Sequence, residues 1–310
     1  LGPSQPWSGE EPNRSSDPSM NLRASVIIPN LDCPLVGDTV QAVASQKLDE
    51  GALEILVVGR DEPGLVRRQE RIRFLETAEP ISAGAARNLG VAAAATDRIL
   101  FTDADCRPAP DWANLLLRSL GRSPVAGGSV RFDLNGNLWA VADNIASFHE
   151  LLADRPAADN TDGPLGSLNL AVTAEAWQRV GPFDEGLVTS EDFDWVLRAR
   201  AAGLALRFEP RAVVQHAAIR RDRQDVVAHA DWYGSHFNDF RRLHPGVFDS
   251  GLTWRSRRRL ALARPIKALV AATQIFLRHP ELLAAWRAFP GVVTFKSAWY
   301  KSILENWQDR

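Results

Sequence analysis

Asp103 and Asp105 stand one residue apart, directly after the apolar run Ile99-Leu100-Phe101. Two carboxylates at this spacing can turn toward a single hard cation, because the intervening Ala104 asks for no space. A divalent ion held there keeps positions open for phosphate oxygens. The same pair can equally cap the helix that follows or sit in a solvated turn. A second acidic pair, Glu191-Asp192, follows Ser190 at an expected helix start. There, acids are favoured by exposed backbone N–H groups whether or not one of them serves as a general base. His216 closes the run Ala212-Val213-Val214-Gln215, where an imidazole is either structural or a neutral metal ligand. Arg87 lies on a helix of small residues. It can reach a diphosphate, pair with a carboxylate or face solvent.

The elements that would position these groups alternate. Ala24–Ile28 reads as a β-branched strand ended by Pro29 and Asn30, and Val36, Val40 and Val43 recur at helical spacing up to about Lys47. Leu53–Val58 is a second strand stopped by Gly59. Leu65–Arg71 reads as a helix and Ile72–Leu75 as a third strand. This order predicts the α/β class, with a mostly parallel sheet and helices on its faces. Residues 81–95 form a helix capped by Ser82. Asp103 and Asp105 then fall beyond a strand's C-terminal end, where open α/β sheets place ligands. Pro108 and Pro110 keep the chain irregular until a helix starts near Asp111. Further helices are expected over Trp112–Leu120 and Trp139–Leu152, with strands at 124–130, 168–172, 204–208 and 212–216. The Pro/Gly/Asp-rich stretch 155–166 reads as a loop long enough to move over a site.

Composition narrows the function classes. A chain of 310 residues with formal charge -2 buries a large core and has no bulk attraction for nucleic acid. Two cysteines, Cys33 and Cys106, make no disulfide framework and no multi-cysteine zinc site, which points to a reducing, cytoplasmic setting. No uninterrupted apolar run reaches bilayer length, so a spanning helix is not expected. Residues 1–21, rich in Pro, Ser and acids, read as a disordered leader.

Several separated motifs occur in one order: Ser25-Val26-Ile27-Ile28-Pro29, Glu54-Ile55-Leu56-Val57-Val58, Gly84-Ala85-Ala86-Arg87-Asn88-Leu89-Gly90, Thr102-Asp103-Ala104-Asp105, Gly181-Pro182-Phe183-Asp184-Glu185, Ser190-Glu191-Asp192 and His216. Over residues 24–216 this series resembles the family 2 glycosyltransferases, inverting enzymes of GT-A fold that use nucleotide-sugar donors. The resemblance implies a donor half at 22–130, an acceptor-binding half at 131–227 and a helical extension at 228–310. It implies Mg²⁺ or Mn²⁺ on Asp105, Asp103 and His216, with Asp103 also near the ribose. Pro29 would line the nucleotide pocket, Arg87 would lie near the diphosphate, Asp192 would be the catalytic base, and Glu191 would orient the acceptor. One departure stands out. The family's second strand is followed by an acid that contacts the nucleobase; here that place holds Gly59, leaving Asp61 or Glu62 to act from a shifted loop, or backbone groups to read the base. UDP is the first donor nucleotide implied, with GDP and dTDP open. Trp195 and Asn169 are assigned to the acceptor, the former either stacking on a sugar or simply packing.

The end of the chain carries a different pattern. Trp232, Tyr233, Phe237 and Phe240 suggest a helix packed on the catalytic domain or lining the acceptor side. Arg255-Ser256-Arg257-Arg258-Arg259 precedes an apolar segment interrupted by Arg264 and Lys267, with Pro265 as a kink. A basic cluster beside an amphipathic segment suits an anionic membrane surface, with Trp286, Trp299 and Tyr300 as interface anchors. It also suits packing on the chain's own domain or on a second subunit. The expected activity is sugar transfer to a glycan or lipid-linked acceptor, on the cytoplasmic face if membrane-bound. Sugar nucleotidyl transfer and a non-catalytic nucleotide-sugar-binding partner of a synthase are the competing readings.

Overall fold

The computed structural model describes residues 22–248, 254 and 256–307. The leader at 1–21 and Arg255 of the basic cluster lie outside the described residues. Strand β1 (Leu22–Leu31) runs parallel to β2 (Ala52–Arg60) on one side and to β4 (Arg98–Thr102) on the other, and β3 (Ile72–Glu76) extends the parallel set beyond β2. Side chains alternate across this sheet as strand geometry requires. Val26, Ile28, Ile55, Val57 and Leu100 enter one core, while Ile27, Leu56, Val58 and Phe101 enter the other. Helices α1 (Val36–Ala44) and α3 (Trp112–Leu120) contribute to the first core, and α2 (Ala83–Ala93) covers the second.

Beyond β4 the sheet changes direction. β7 (Asn169–Thr173) joins β4 antiparallel, β6 (Val125–Arg131) follows, then β8 (Leu206–His216) and the short β5 (Cys106–Pro108), in the order β3-β2-β1-β4-β7-β6-β8-β5. One sheet therefore passes through residue 130 without a break. Helices α5 (Ala174–Val180) and α6 (Glu191–Ala201) join α2 on the second core. Helix α4 (Leu138–Phe148) packs against α7 (Arg223–Leu243) and α10 (Phe289–Glu305); the short α8 (Pro245–Phe248) follows α7, and α9 (Arg257–Arg278) lies on α10.

The structure corrects several local expectations. Leu65–Arg71 is not helical. The Asp61 carboxylate accepts the Val66 N–H at 2.7 Å, and Gln69 and Ile72 exchange backbone bonds, so the segment is a tied loop. A segment this short lacks the apolar face needed to offset helix nucleation. β1 continues through Pro29, which lies past the last residue paired with β4, where a missing N–H is tolerated on that side. β2 continues through Gly59 at φ +128°, a place where a Cβ would stand 2.0 Å from the Asn30 carbonyl oxygen. Cys106–Pro108 forms β5 despite its proline, because it pairs with the end of β8. Ser190 sits in the left-handed region at φ +65° and makes no side-chain cap for α6. The two apolar runs around Pro210 form one strand, with a register shift opposite Gly128 and Ser129. The 155–166 loop is tied across the sheet end, where Ala158 exchanges backbone bonds with Phe208 and Thr161 N–H reaches Leu206 O.

Candidate functional site

Arg87 is the centre of the acidic cluster. Ser82 caps α2 by accepting the Ala85 N–H at 3.2 Å, and small residues let this helix approach α6 closely. A Cβ on Gly84 would already stand 3.2 Å from Glu191 Cγ. From α2 the Arg87 guanidinium, 2% exposed, donates through Nη2 to Asp103 at 2.6 Å and through Nη1 to Glu191 at 2.7 Å. Burial pulls the Arg87 pKa downward, but the charges of Asp103, Glu191 and Asp192 hold it well above its ordinary value. Burial also raises Asp103 against the opposing pull of Arg87. Glu191 is pushed up to about 7 by burial and by Asp192. Of the roles open to Arg87 in the sequence, the structure realises pairing with carboxylates. Both terminal nitrogens hold acids, so it positions Asp103 and Glu191, while its Nε is buried without a partner.

Asp105 has other company. It follows the end of β4 and meets the last residue of β8, with His216 Nε2 at 3.4 Å from Asp105 Oδ2. The Ala217 N–H donates to the Asp105 carbonyl at 3.1 Å, fixing the chain beyond β8 to this corner. Burial opposes ionisation of Asp105, but the His216 hydrogen bond and charge, with Arg220 adding, bring its pKa below the usual value. Burial likewise opposes the charged form of His216, and Asp105 outweighs it, so the imidazole is raised. The other ring nitrogen, Nδ1, is buried without a partner. An oxygen and a nitrogen donor this close fit a shared first-row divalent cation. Among the described residues no three His, Cys, Asp or Glu side chains converge as a complete cage. The remaining positions would fall to phosphate oxygens and water. A cleft of about 240 Å³ opens here, lined by Leu35, Thr39, Asp105, Arg107, His216 and Ala218.

The residues that support this corner escaped the sequence reading. Asp143 of α4, 3% exposed, accepts from Arg220 at 3.2 Å and pairs with His229 Nδ1 at 2.6 Å. Arg220 is 29% exposed and held by that one carboxylate, and its charge is felt at Asp105. The available signal was an acid within the apolar repeat Val141–Ile145–Phe148. Asp192 has partners other than those of the Asp105–His216 corner. Its Oδ2 accepts the Ser167 N–H at 2.9 Å and the Ser167 hydroxyl at 3.2 Å, and its Oδ1 accepts the Phe193 N–H at 2.8 Å. Tyr233 of α7 faces the same acids. Burial and the charges of Asp192 and Glu191 push its phenol well up.

Trp195 and Asn169 do not face an acceptor. Trp195 is fully buried, stacks on Trp177 at 5.7 Å and donates its indole N–H to Gly181 O at 2.8 Å. Asn169, 1% exposed, accepts from Trp112 and donates to Ser129 O and Ala212 O. Both are bound within the body, where every polar atom of the two side chains that the sequence reading offered to a sugar is already used. Pro29 stands near the open end of β1. Asp61 spends one oxygen on its own loop while the other is buried without a partner, and Glu62 pairs with Arg60 beside Asp32. Gly59 has a steric reason, since β1 occupies the space a side chain would need.

Residues 25–173 match the family model described as Glycosyl transferase family 2. The chain is 28% identical over 206 residues to glycosyltransferase AglE of Haloferax volcanii, covering 63% of this chain and 66% of that protein. It is 31% identical over 169 residues to the pre-mycofactocin glycosyltransferase of Mycobacterium tuberculosis, covering 52% of this chain and 35% of that one. The chain thus spans less than two thirds of the first relative's length and about a third of the second's. Among solved structures, a mannosyltransferase from Pyrobaculum calidifontis, in complex with GDP-Man and Mn²⁺, superposes with a TM-score of 0.61 at 20% identity over 98% of this chain and 91% of its own. TarS of S. aureus superposes with a TM-score of 0.52 at 13% identity, over 90% of this chain and 54% of its own. These likenesses establish the fold, of the GT-A type with an extended C-terminal helical region.

Proposed function

Since the chain belongs to glycosyl transferase family 2, we propose that it moves a sugar from a nucleotide-diphosphate donor to an acceptor hydroxyl with inversion. The observation that carries this reading is that two acidic stations are built on different partners. Asp105 with His216 forms an O,N corner suited to a cation, and Asp192 stands on a serine-built seat. Asp105 and His216 would hold Mg²⁺ or Mn²⁺, with Asp103 beside them. When bound, the ion supplies charge neutralisation for the departing diphosphate. Arg220, the loosely held cation facing this corner, takes the diphosphate role that Arg87 is too tightly paired to fill. Arg87 keeps Asp103 and Glu191 in place. Asp192 takes the proton from the attacking hydroxyl, its carboxylate aimed by the Ser167 donors, and Tyr233 closes the acceptor side.

In this reading 22–130 serves the donor, 131–227 the acceptor and 228–310 external contacts. The acceptor is a glycan or a lipid-linked saccharide. GDP-sugar stands beside UDP-sugar as donor, because the superposed mannosyltransferase holds GDP-Man and Mn²⁺. Pro29, with Asp61 or Glu62, serves the nucleoside. The extension meets an anionic membrane surface or a second copy, in a cytoplasmic setting.

The test is turnover. The purified chain is incubated with Mn²⁺, GDP-mannose or UDP-sugars, and a lipid-linked saccharide extract, and products are read by mass spectrometry and anomeric NMR. Release of nucleoside diphosphate with an inverted glycosidic product supports the reading. Release of pyrophosphate replaces it with nucleotidyl transfer. Binding without turnover in any pairing favours the non-catalytic partner.

A further inference from the structure

Helix α9 presents an apolar stripe that the described residues leave uncovered. Leu262, Ile266, Leu269 and Leu277 are spaced by four, three and eight residues along one helical face, with Val270 at its margin, and are 84%, 70%, 50%, 74% and, for Val270, 44% exposed. Leu283 and Trp286, 57% and 65% exposed, continue the apolar surface on the following turn at Pro280–Ala288. The opposite side of α9 is occupied. Leu260, Ala268, Ala272, Ile275 and Phe276 are buried, and the helix packs on α10. A stripe of this size facing water is a contact surface in want of a partner.

We propose that this stripe lies in the surface of an anionic bilayer. The argument is charge. Helix α9 carries six cations, Arg257, Arg258, Arg259, Arg264, Lys267 and Arg278, and no acid. Among the described residues Arg258 and Arg259 have no ion pair and are exposed beside the stripe. Two copies joined through this face would bring like charges together. Anionic headgroups accept the cations while the acyl boundary takes the leucines, and an exposed tryptophan sits well at that depth. By length and average hydropathy α9 is also the one helix among the described residues long and apolar enough to cross a membrane, although charged residues interrupt its apolar run. Its buried face against α10, and Lys267 drawn toward the Trp254 and Tyr300 rings at 5.4 and 5.5 Å, hold it on the protein body. The structure also sorts the anchors expected from sequence. Trp286 is outward, whereas Trp299 and Tyr300 pack with Phe237 and Trp254.

This inference deepens the lipid-linked branch of the proposed acceptor, and its test reads lipid binding without reference to turnover. The chain is sedimented with phosphatidylcholine vesicles, and with the same vesicles enriched in phosphatidylglycerol, at low and high salt. Leu262→Gln with Ile266→Gln, and separately Arg258→Ala with Arg259→Ala, are run beside it. Expected are binding to anionic vesicles only, weakening with salt, and roughly thirtyfold weaker partitioning of the arginine variant, from about 1 kcal/mol per basic side chain. Nucleotide binding by both variants should match the parent chain, which separates failure at this face from failure of the active site. Absence of binding to anionic vesicles overturns the proposal. So does equal binding by both variants, resistance to alkaline extraction as a spanning helix shows, or a dimer that the leucine substitutions dissolve while vesicle binding is absent.

Discussion

Asp103 and Asp105 are separated by one alanine and live in opposite electrostatic settings. Asp103 is locked at 2.6 Å to a buried arginine that also holds Glu191, a closed triad in which one guanidinium serves two acids. Asp105 looks onto a histidine at 3.4 Å, a partly exposed arginine on a single tether, and an open cleft. The first corner is structural support expressed in charges. The second is left incomplete, as the proposed ligand corner requires. Type and spacing alone made the two aspartates look alike; their partners separate them.

The difference can be broken most easily at the two arginines. Arg87→Met leaves Glu191 buried and unpaired and takes from Asp103 its one ion-pair partner among the described residues, so urea unfolding should show a loss of about 3–5 kcal/mol. Arg220→Met should cost clearly less, because the buried Asp143 keeps His229 at 2.6 Å as a partner. Equal losses would erase the distinction. Asp192→Asn should lower turnover roughly 100- to 10,000-fold while leaving nucleotide affinity unchanged, as expected of a group that only moves a proton. Isothermal titration with steady-state assays would separate the two effects.

Smaller effects sharpen the same contrast. Arg220→Met should weaken a nucleoside diphosphate roughly tenfold while hardly changing the monophosphate, the mark of one lost charge-assisted contact. Glu191→Gln bears on pH. Because the folded pKa of Glu191 lies near 7, above its ordinary 4.5, the folded chain holds a proton that the unfolded chain has released. Stability therefore falls as pH rises across that window, and the substitution should flatten this slope in thermal melts from pH 4.5 to 7.

Much of this was legible from the chain. Alternating apolar residues in Ala24–Ile28 and Leu53–Val58, bounded by Pro and Gly, marked the strands, since each face of the sheet has its own core. Asp105 and His216 were readable as partners through the motif series, although 111 positions of chain separate them. Trp195 misled because an aromatic beside an acidic helix start looks the same whether it stacks on a ligand or on Trp177. Arg87 offered three roles, and only the fold, by placing Glu191 within reach, selects one. Asp143, Arg220 and Ser167 were missed for a common reason: each acquires its role from a neighbour remote in sequence, which no local pattern encodes. Leu65–Arg71 failed as a helix because one side-chain bond from Asp61 outweighs weak local propensity.

In the proposed reading Asp105 and His216 form the ligand corner, and Asp103 belongs to the triad around Arg87. Calorimetric titration of GDP and UDP, with and without Mn²⁺, on the parent chain and on Asp105→Asn tests it most directly. The account predicts Mn²⁺-dependent binding of one nucleotide, lost in Asp105→Asn without a change in melting temperature, and tightening as pH rises and His216 sheds its proton. Metal-independent binding, or binding that survives Asp105→Asn, would contradict it.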